Sequence, residues 1–114
     1  MKNKIYSDAS VFKDTRGWAY VLYYQGFQII EASWHNSRKG INGLETYAIH
    51  QALRYLSTNK ITIFTDSQHA IRVYRERGYK IKYTNKHSHN HSLVHNLARK
   101  VAKQQTWYCR ITQL

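Results

Sequence analysis

The chain of 114 residues contains no proline and only one cysteine, Cys109. A single thiol excludes an internal disulfide framework and any zinc knuckle built from several cysteines. The sequence also lacks an apolar run long enough for a transmembrane helix, and residues 1–5 provide no signal-peptide core. We therefore expect a single domain, residues 1–114, in a reducing cytoplasmic setting with no membrane contact.

Acidic residues are also scarce, and this imbalance sets the charge of the protein. Six Asp and Glu face 18 Lys and Arg, which gives a formal net charge of +12. Such a field attracts polyanions, of which nucleic acid is the commonest, although a merely soluble basic surface is the alternative. Aromatic residues between the charges could stack on bases. The candidates are the segments 18–24 and 107–108, although most Trp and Tyr of a small domain lie in its core, as we expect for Trp18 and Tyr20.

Hydrophobic periodicity predicts strands and helices in the order β-β-β-α-β-α-β-α. The predicted strands are residues 4–10, 17–24, 27–34, 61–64 and 79–86, and the predicted helices are 43–57, 67–77 and 91–104. Gln25-Gly26 is typical of a two-residue hairpin turn, and Gly78 is expected to end the second helix. This order predicts an α/β fold with a mixed five-stranded sheet, an antiparallel three-strand meander plus parallel strands, flanked by about three helices. Residues 106–114 are assigned no element.

Three of the six carboxylates occupy unusual positions. Asp8 lies inside a predicted strand, where Asp is disfavoured, and Asp66 ends a buried apolar strand. Glu45 lies on the apolar stripe of the first helix, near its start. If the first and fourth strands are neighbours, these three side chains meet at one edge of the sheet. The remaining acids are interpreted as surface residues: Asp14, Glu31 and Glu76.

Each of the three carboxylates also has a purely structural interpretation. Glu45 could close a capping box with Asn42, Asp66 could cap the second helix, and Asp8 could pair with a lysine. Their convergence favours a cation, because three carboxylates at one place repel one another without one. Oxygen ligands suit Mg²⁺ or Mn²⁺, and two such ions about 3.5–4 Å apart can hydrolyse a phosphodiester.

The order of the motifs resembles the type 1 ribonuclease H family over nearly the whole chain. The resemblance is carried by Asp8-Ala9-Ser10, Asn42-x-x-Glu45, Thr65-Asp66-Ser67-Gln68, His87-Ser88 and Asn96-Leu97-Ala98-Arg99. It implies a metal-dependent endonuclease that cuts the RNA strand of an RNA/DNA hybrid and leaves a 3′-hydroxyl and a 5′-phosphate. It also implies two divalent ions, Mg²⁺ or Mn²⁺.

The resemblance assigns roles to individual residues. The two metal ions are assigned to Asp8, Glu45 and Asp66. Contacts with the substrate are assigned to Ser10, Asn42 and Gln68, and amide side chains are suited to a 2′-hydroxyl, which both donates and accepts hydrogen bonds. Proton transfer or product release is assigned to His87.

The chain departs from the family at the fourth acidic position, which is occupied by His95. We expect His95 to replace the carboxylate as catalytic residue and metal ligand, and a neutral imidazole favours Mn²⁺. Alternatively, His91 and His95 form a helical pair for Zn²⁺, or these histidines simply cover a polar helix face. The basic protrusion that some members carry is also missing, since Gly78 leads directly to Tyr79.

Two other functions remain open at this stage. A catalytically weak or inactive protein of the same fold could bind hybrid, or double-stranded RNA, without cutting it. A DNA nuclease of the resolvase or integrase type is disfavoured, because integrases order their acids Asp-Asp-Glu, whereas this chain has Asp8, Glu45 and Asp66. A monomer is expected, and exposed aromatic residues leave a dimer open.

Overall fold

A computed structural model describes residues 3–36, 41–84 and 88–114, with side chains throughout these ranges except at positions 41 and 42. Within them, six strands form one sheet in the order β5-β4-β1-β2-β3-β6. The elements are β1 (Lys4–Phe12), β2 (Thr15–Tyr24), β3 (Phe27–His35), α1 (Ile41–Leu53), β4 (Thr62–Thr65), α2 (Gln68–Glu76), β5 (Lys80–Tyr83), α3 (His89–Gln104) and β6 (Tyr108–Gln113). None of the helices in these ranges is both long and apolar enough to cross a membrane.

The first three strands form the predicted antiparallel meander. Strands β2 and β3 are joined at Gln25 and Gly26, whose φ angles of 50° and 83° are both positive. A type I′ turn requires positive φ at both central positions, and this turn matches the right-handed twist of the paired strands. The predicted hairpin is therefore confirmed.

The rest of the sheet confirms the predicted fold class but not the number of strands. Strand β4 pairs in parallel with β1, and β5 pairs in parallel with β4. The prediction of five strands was wrong, because β6 pairs antiparallel with β3 and adds a sixth at the edge. Four of its six residues are exposed, so the strand shows no apolar alternation in the sequence.

The helices cover both faces of the sheet and bury two separate groups of apolar side chains. Helices α1 and α2 pack on one face, around Ile5, Leu22 and Ile63. Helix α3 packs on the other face, and its apolar side consists of Val94, Ala98 and Val101. Because the two faces are covered by different helices, the side chains along β1 point alternately toward α1 and toward α3.

The aromatic side chains expected in the core are buried there. Trp18 and Tyr20 are 4% and 0% exposed, on the face of the sheet that α1 covers. Trp107 and Tyr108 are 65% and 38% exposed at the β6 edge. The aromatic residues therefore divide into a buried group and an accessible one, and only the latter can meet a ligand.

Candidate active site

The register of two parallel strands brings the first two carboxylates together. Strand β1 pairs with β4 so that Tyr6 lies opposite Phe64, and their rings stack with centroids 4.7 Å apart. Two residues further along each chain, the same register places Asp8 opposite Asp66, on the α3 side of the sheet. Asp8 is 3% exposed, whereas the side chain of Asp66 remains 28% exposed.

Asp66 is not the N-cap of α2. That position is held by Ser67, whose hydroxyl oxygen accepts a hydrogen bond from the backbone N–H of Ala70 at 3.1 Å. The capping interpretation of Asp66 is therefore wrong. Its carboxylate is turned toward the other acidic groups instead.

Glu45 approaches the same place from the start of α1. It is 6% exposed, and its carboxyl group makes hydrogen bonds with Asp8 and Ser67. Burial is the largest cause that raises the pKa of Glu45 to about 9, the hydrogen bond with Asp8 and the charges of Asp66 and Asp8 act in the same direction, and the hydrogen bond with Ser67 opposes them. Without a cation, the three carboxyl groups therefore retain a proton at neutral pH.

The N-terminal half of α3 brings a histidine into contact with two of these acids. His91 is 2% exposed, and its Nε2 lies 3.5 Å from Oδ2 of Asp66 and 3.9 Å from Oδ2 of Asp8. The hydrogen bond with His91 lowers the pKa of Asp66. One ligand atom from each of the three residues lies within 4.8 Å of the others, which is close enough to share one metal ion.

His95 lies one turn further along α3 and contacts Asp8 alone. Its Nδ1 is 2.7 Å from Oδ2 of Asp8, and its side chain is 47% exposed. In the neutral tautomer that donates its Nδ1 proton to this carboxylate, Nε2 keeps its lone pair. A cavity of about 190 Å³ lies between the end of β4 and helix α3. Its lining residues are Asp66, His91, Ser92, His95 and Asn96.

The remaining predicted site residues fall at different places. Ser10 is 6% exposed on β1, on the same face as Asp8, and Gln68 is exposed as the first residue of α2. The side chain of Asn42 lies outside the described residues, as does the whole of His87. The structure therefore brings Asp8, Glu45 and Asp66 together, as the sequence predicts.

The sequence favours His95 over His91 as the metal ligand, and in the structure His91 is the buried histidine next to two acids. A usable signal was present in Ser88, which caps α3 by accepting a hydrogen bond from the backbone N–H of His91 at 3.1 Å. An N-cap three residues earlier places His91 in the first turn, at the end of the helix nearest the acids.

The sequence interpretation of Glu31 as a surface residue was wrong. Glu31 is 9% exposed, and its Oε1 accepts hydrogen bonds from the hydroxyl of Tyr20 at 2.9 Å and from Nη2 of Arg54 at 3.1 Å. Its Oε2 accepts one from Nε1 of Trp107 at 3.1 Å. The charge is buried because three donors surround it, from β2, from the residue that follows α1 and from the segment before β6.

The fold and the acidic group define a class of protein: a mixed α/β sheet with carboxylates gathered just beyond the parallel pairing of β1 and β4, a nuclease-like arrangement. The RNase H family model matches residues 1–111, and the chain belongs to that family. A solved structure, the RNase H1 of the halophilic archaeon Halobacterium salinarum NRC-1, is similar with a TM-score of 0.60 and 15% identity. The match covers 91% of this chain and 99% of the archaeal one, and it shows the shared fold. No curated protein sequence matches the chain.

Proposed function

We propose that this chain is a metal-dependent endoribonuclease that hydrolyses the RNA strand of RNA/DNA hybrids. One observation carries the proposal: in this chain, which belongs to the RNase H family, ligand atoms of Asp8, Asp66 and His91 lie within 4.8 Å of one another. The net charge of +12 supports a polyanionic substrate. A 5′-phosphate and a 3′-hydroxyl are the products expected of this class.

The donor set fits divalent metal ions. It consists of carboxylates, which suit Mg²⁺ and Mn²⁺, and of softer imidazoles, which suit transition metals. Burial, followed by the neighbouring acids, raises the pKa of Glu45, and a bound cation would favour its ionised form. We propose that two ions are held by Asp8, Glu45, Asp66 and His95, with His91 as an additional donor. Such ions, when bound, activate water and stabilise the leaving oxygen of a phosphodiester.

His95 acts in this proposal through the nitrogen that faces away from Asp8. Because Asp8 accepts the Nδ1 proton at 2.7 Å, the imidazole is fixed in the tautomer whose Nε2 can ligate a metal. An imidazole adds no negative charge and is softer than the carboxylate it replaces. We therefore expect Mn²⁺ to support activity better than Mg²⁺.

Substrate contacts and proton transfer are proposed for the residues around this centre. Gln68 is exposed beside Asp66 and can exchange hydrogen bonds with a 2′-hydroxyl of the RNA strand. The same role is proposed for Asn42, and Ser10 is proposed to position the strand. His87 is proposed to transfer protons or to assist product release.

A protein that binds hybrid or double-stranded RNA without cutting it is the second candidate, and one observation favours it. Nε2 of His91 lies within ion-pair distance of both Asp8 and Asp66. A protonated His91 is a cation already present between these acids, so it would compete with a metal ion for the same position. Loss of catalysis with retained binding would follow.

The deciding experiment is cleavage of a hybrid labelled on its RNA strand, with double-stranded RNA and DNA as comparisons, in Mg²⁺ and in Mn²⁺. Asp66→Asn preserves the shape of the side chain and removes its charge, so it should abolish cleavage and retain binding. We expect cleavage of the RNA strand of the hybrid alone. Binding without cleavage in both metals would establish the second candidate instead.

The two candidates also differ in the effect of removing His91. His91→Asn removes the imidazole from the acidic group, and His89→Asn is the matched control, because His89 is exposed at the start of the same helix. If His91 serves as a metal ligand, only His91→Asn weakens Mn²⁺ binding and cleavage. If it acts as an internal cation, the same variant strengthens Mn²⁺ binding.

A further inference from the structure

A groove lies on the side of α3 that faces away from the carboxylates, between that helix and the edge strand β6. It has a volume of about 430 Å³. Its lining combines apolar, aromatic and basic side chains, among them Ile30, Leu93, Leu97, Lys100, Trp107 and Arg110. None of the described residues that line it is acidic.

Trp107 is exposed at this groove and is nevertheless fixed in position. The residue is 65% exposed, yet its indole N–H donates a hydrogen bond to the buried carboxylate of Glu31 at 3.1 Å. Glu31 is itself held by Tyr20 and Arg54. A rigid aromatic ring with an accessible face loses little conformational entropy when another flat ring stacks on it.

Among the described residues that line the groove, the charged ones are basic. Lys100 and Arg110 are exposed on its two sides, and Arg99 and Lys103 follow on the outer surface of α3. The sequence of α3 contains no Asp or Glu at all. A second copy of this chain would bring another +12 charge to the groove, which disfavours self-association and favours a polyanion with aromatic rings.

The groove also adjoins the candidate active site. Asn96 lines both the groove and the cavity that contains Asp66, His91 and His95. It lies on the outer crest of α3, so a strand that passes over this residue would reach from one side of the helix to the other. An extended strand with a repeating anion and stackable rings fits such a path.

We infer that this groove binds single-stranded nucleic acid, with bases stacked on Trp107 and Tyr108 and phosphates paired with Lys100 and Arg110. Its natural occupant is an unpaired strand that continues from the hybrid held at the acidic site. That assignment of the occupant rests on the proposed function, whereas the affinity of the groove for an unpaired strand does not.

The test is binding of a fluorescein-labelled oligothymidylate, measured by anisotropy in EDTA so that no hydrolysis occurs. Trp107→Ala should weaken binding on the order of 5- to 150-fold, the effect of losing one stacked base. The double variant Lys100→Glu/Arg110→Glu leaves the Glu31 contacts intact. It should weaken binding and reduce the slope of log K against log salt by about 1.4, because each lost contact with a single strand contributes about 0.7.

A matched control separates a site from a general field. Lys80→Glu/Lys82→Glu makes the same change in net charge on exposed residues of β5, at the opposite edge of the sheet. It should leave oligothymidylate binding nearly unchanged. Equal weakening by both double variants would overturn the inference, and so would an absence of binding. Dimerisation that is lost in the Lys100→Glu/Arg110→Glu variant would identify a second copy as the occupant instead.

Cleavage of a blunt hybrid separates this inference from the proposed function. If the groove variants still cut a blunt hybrid but bind oligothymidylate poorly, the groove is a separate site. If the unaltered protein cuts no hybrid in either metal but binds oligothymidylate through the groove, the inference stands and the proposed function fails.

Discussion

Replacing Gly17 with alanine tests how closely α3 must approach the sheet. Gly17 lies on β2 beneath α3, where a Cβ atom would be 2.9 Å from the carbonyl carbon of Ala98 and 3.1 Å from Cβ of Ala102. It would also overlap the carbonyl oxygen of Ala98. Because that oxygen belongs to helix backbone, no side-chain rotation relieves the clash and α3 has to move outward.

The cost can be worked out from two contributions. Inserting a methyl group into a packed interface costs about 1–3 kcal/mol. Moving α3 also weakens the bond that the Thr15 hydroxyl donates to the carbonyl of Ala102 at 2.7 Å, worth about 1 kcal/mol. The sum of about 2–4 kcal/mol corresponds to a decrease in Tm of roughly 8–16 °C, from an unfolding entropy of about 2.1 cal/mol/K per residue over 114 residues.

The assay is thermal unfolding followed by circular dichroism, with Gly43→Ala as the control. A Cβ at Gly43 meets no atom of the described residues within 4 Å, and alanine in a helix is favoured over glycine by up to about 1 kcal/mol. Gly43→Ala should therefore raise Tm slightly or leave it unchanged. A Gly17→Ala variant whose Tm stays within about 2 °C of the unaltered protein would refute the close approach.

Three further variants test other parts of the structure. Burial is the largest cause that raises the pKa of Glu45 from 4.5 to about 9. Between pH 4.5 and about pH 9, the metal-free protein therefore takes up a proton when it folds. Its free energy of unfolding should fall as the pH rises through this range, by up to about 1.4 kcal/mol per pH unit. Glu45→Gln should flatten that dependence in denaturant titrations, and an unchanged slope would contradict the assignment. His95→Asp should retain or raise cleavage in Mg²⁺ and remove the preference for Mn²⁺; complete loss of cleavage in a folded variant would exclude His95 as a ligand. Glu31→Gln should lower the free energy of unfolding by about 1–3 kcal/mol and change the fluorescence of Trp107. The reason is that an amide cannot accept all three hydrogen bonds from Tyr20, Arg54 and Trp107. Unchanged stability and fluorescence would count against the role of Glu31.

The acidic group could be predicted because its members depend on local features of the sequence. Asp8 interrupts an apolar strand and Asp66 follows one, so strand positions alone place both at related points of a parallel pair. Glu45 follows from the stripe of one helix. These inferences need only the period of each element and the adjacency of β1 and β4.

The features that could not be predicted depend on distant partners. Glu31 is buried because Arg54 and Trp107, at sequence separations of 23 and 76, provide hydrogen-bond donors. Which histidine of α3 faces both acids depends on the rotation of the helix, which Gly17 and Ala98 set by direct contact. Strand β6 was missed because the pairing that defines it is made by backbone atoms, with little burial of its side chains.

The hydrogen bond between His95 and Asp8 joins residues that are 87 positions apart, and this separation determines when the candidate site can assemble during synthesis of the chain. The first carboxylate leaves the ribosome early, whereas the histidines of α3 follow only after strands β1 to β5 have been made. A partly synthesised chain therefore already carries much of the basic surface, and it can adhere to nucleic acid. The contacts of the histidines with the acidic group, however, form only when α3 docks across β1 and β2, so the basic surface is present before the candidate site is complete.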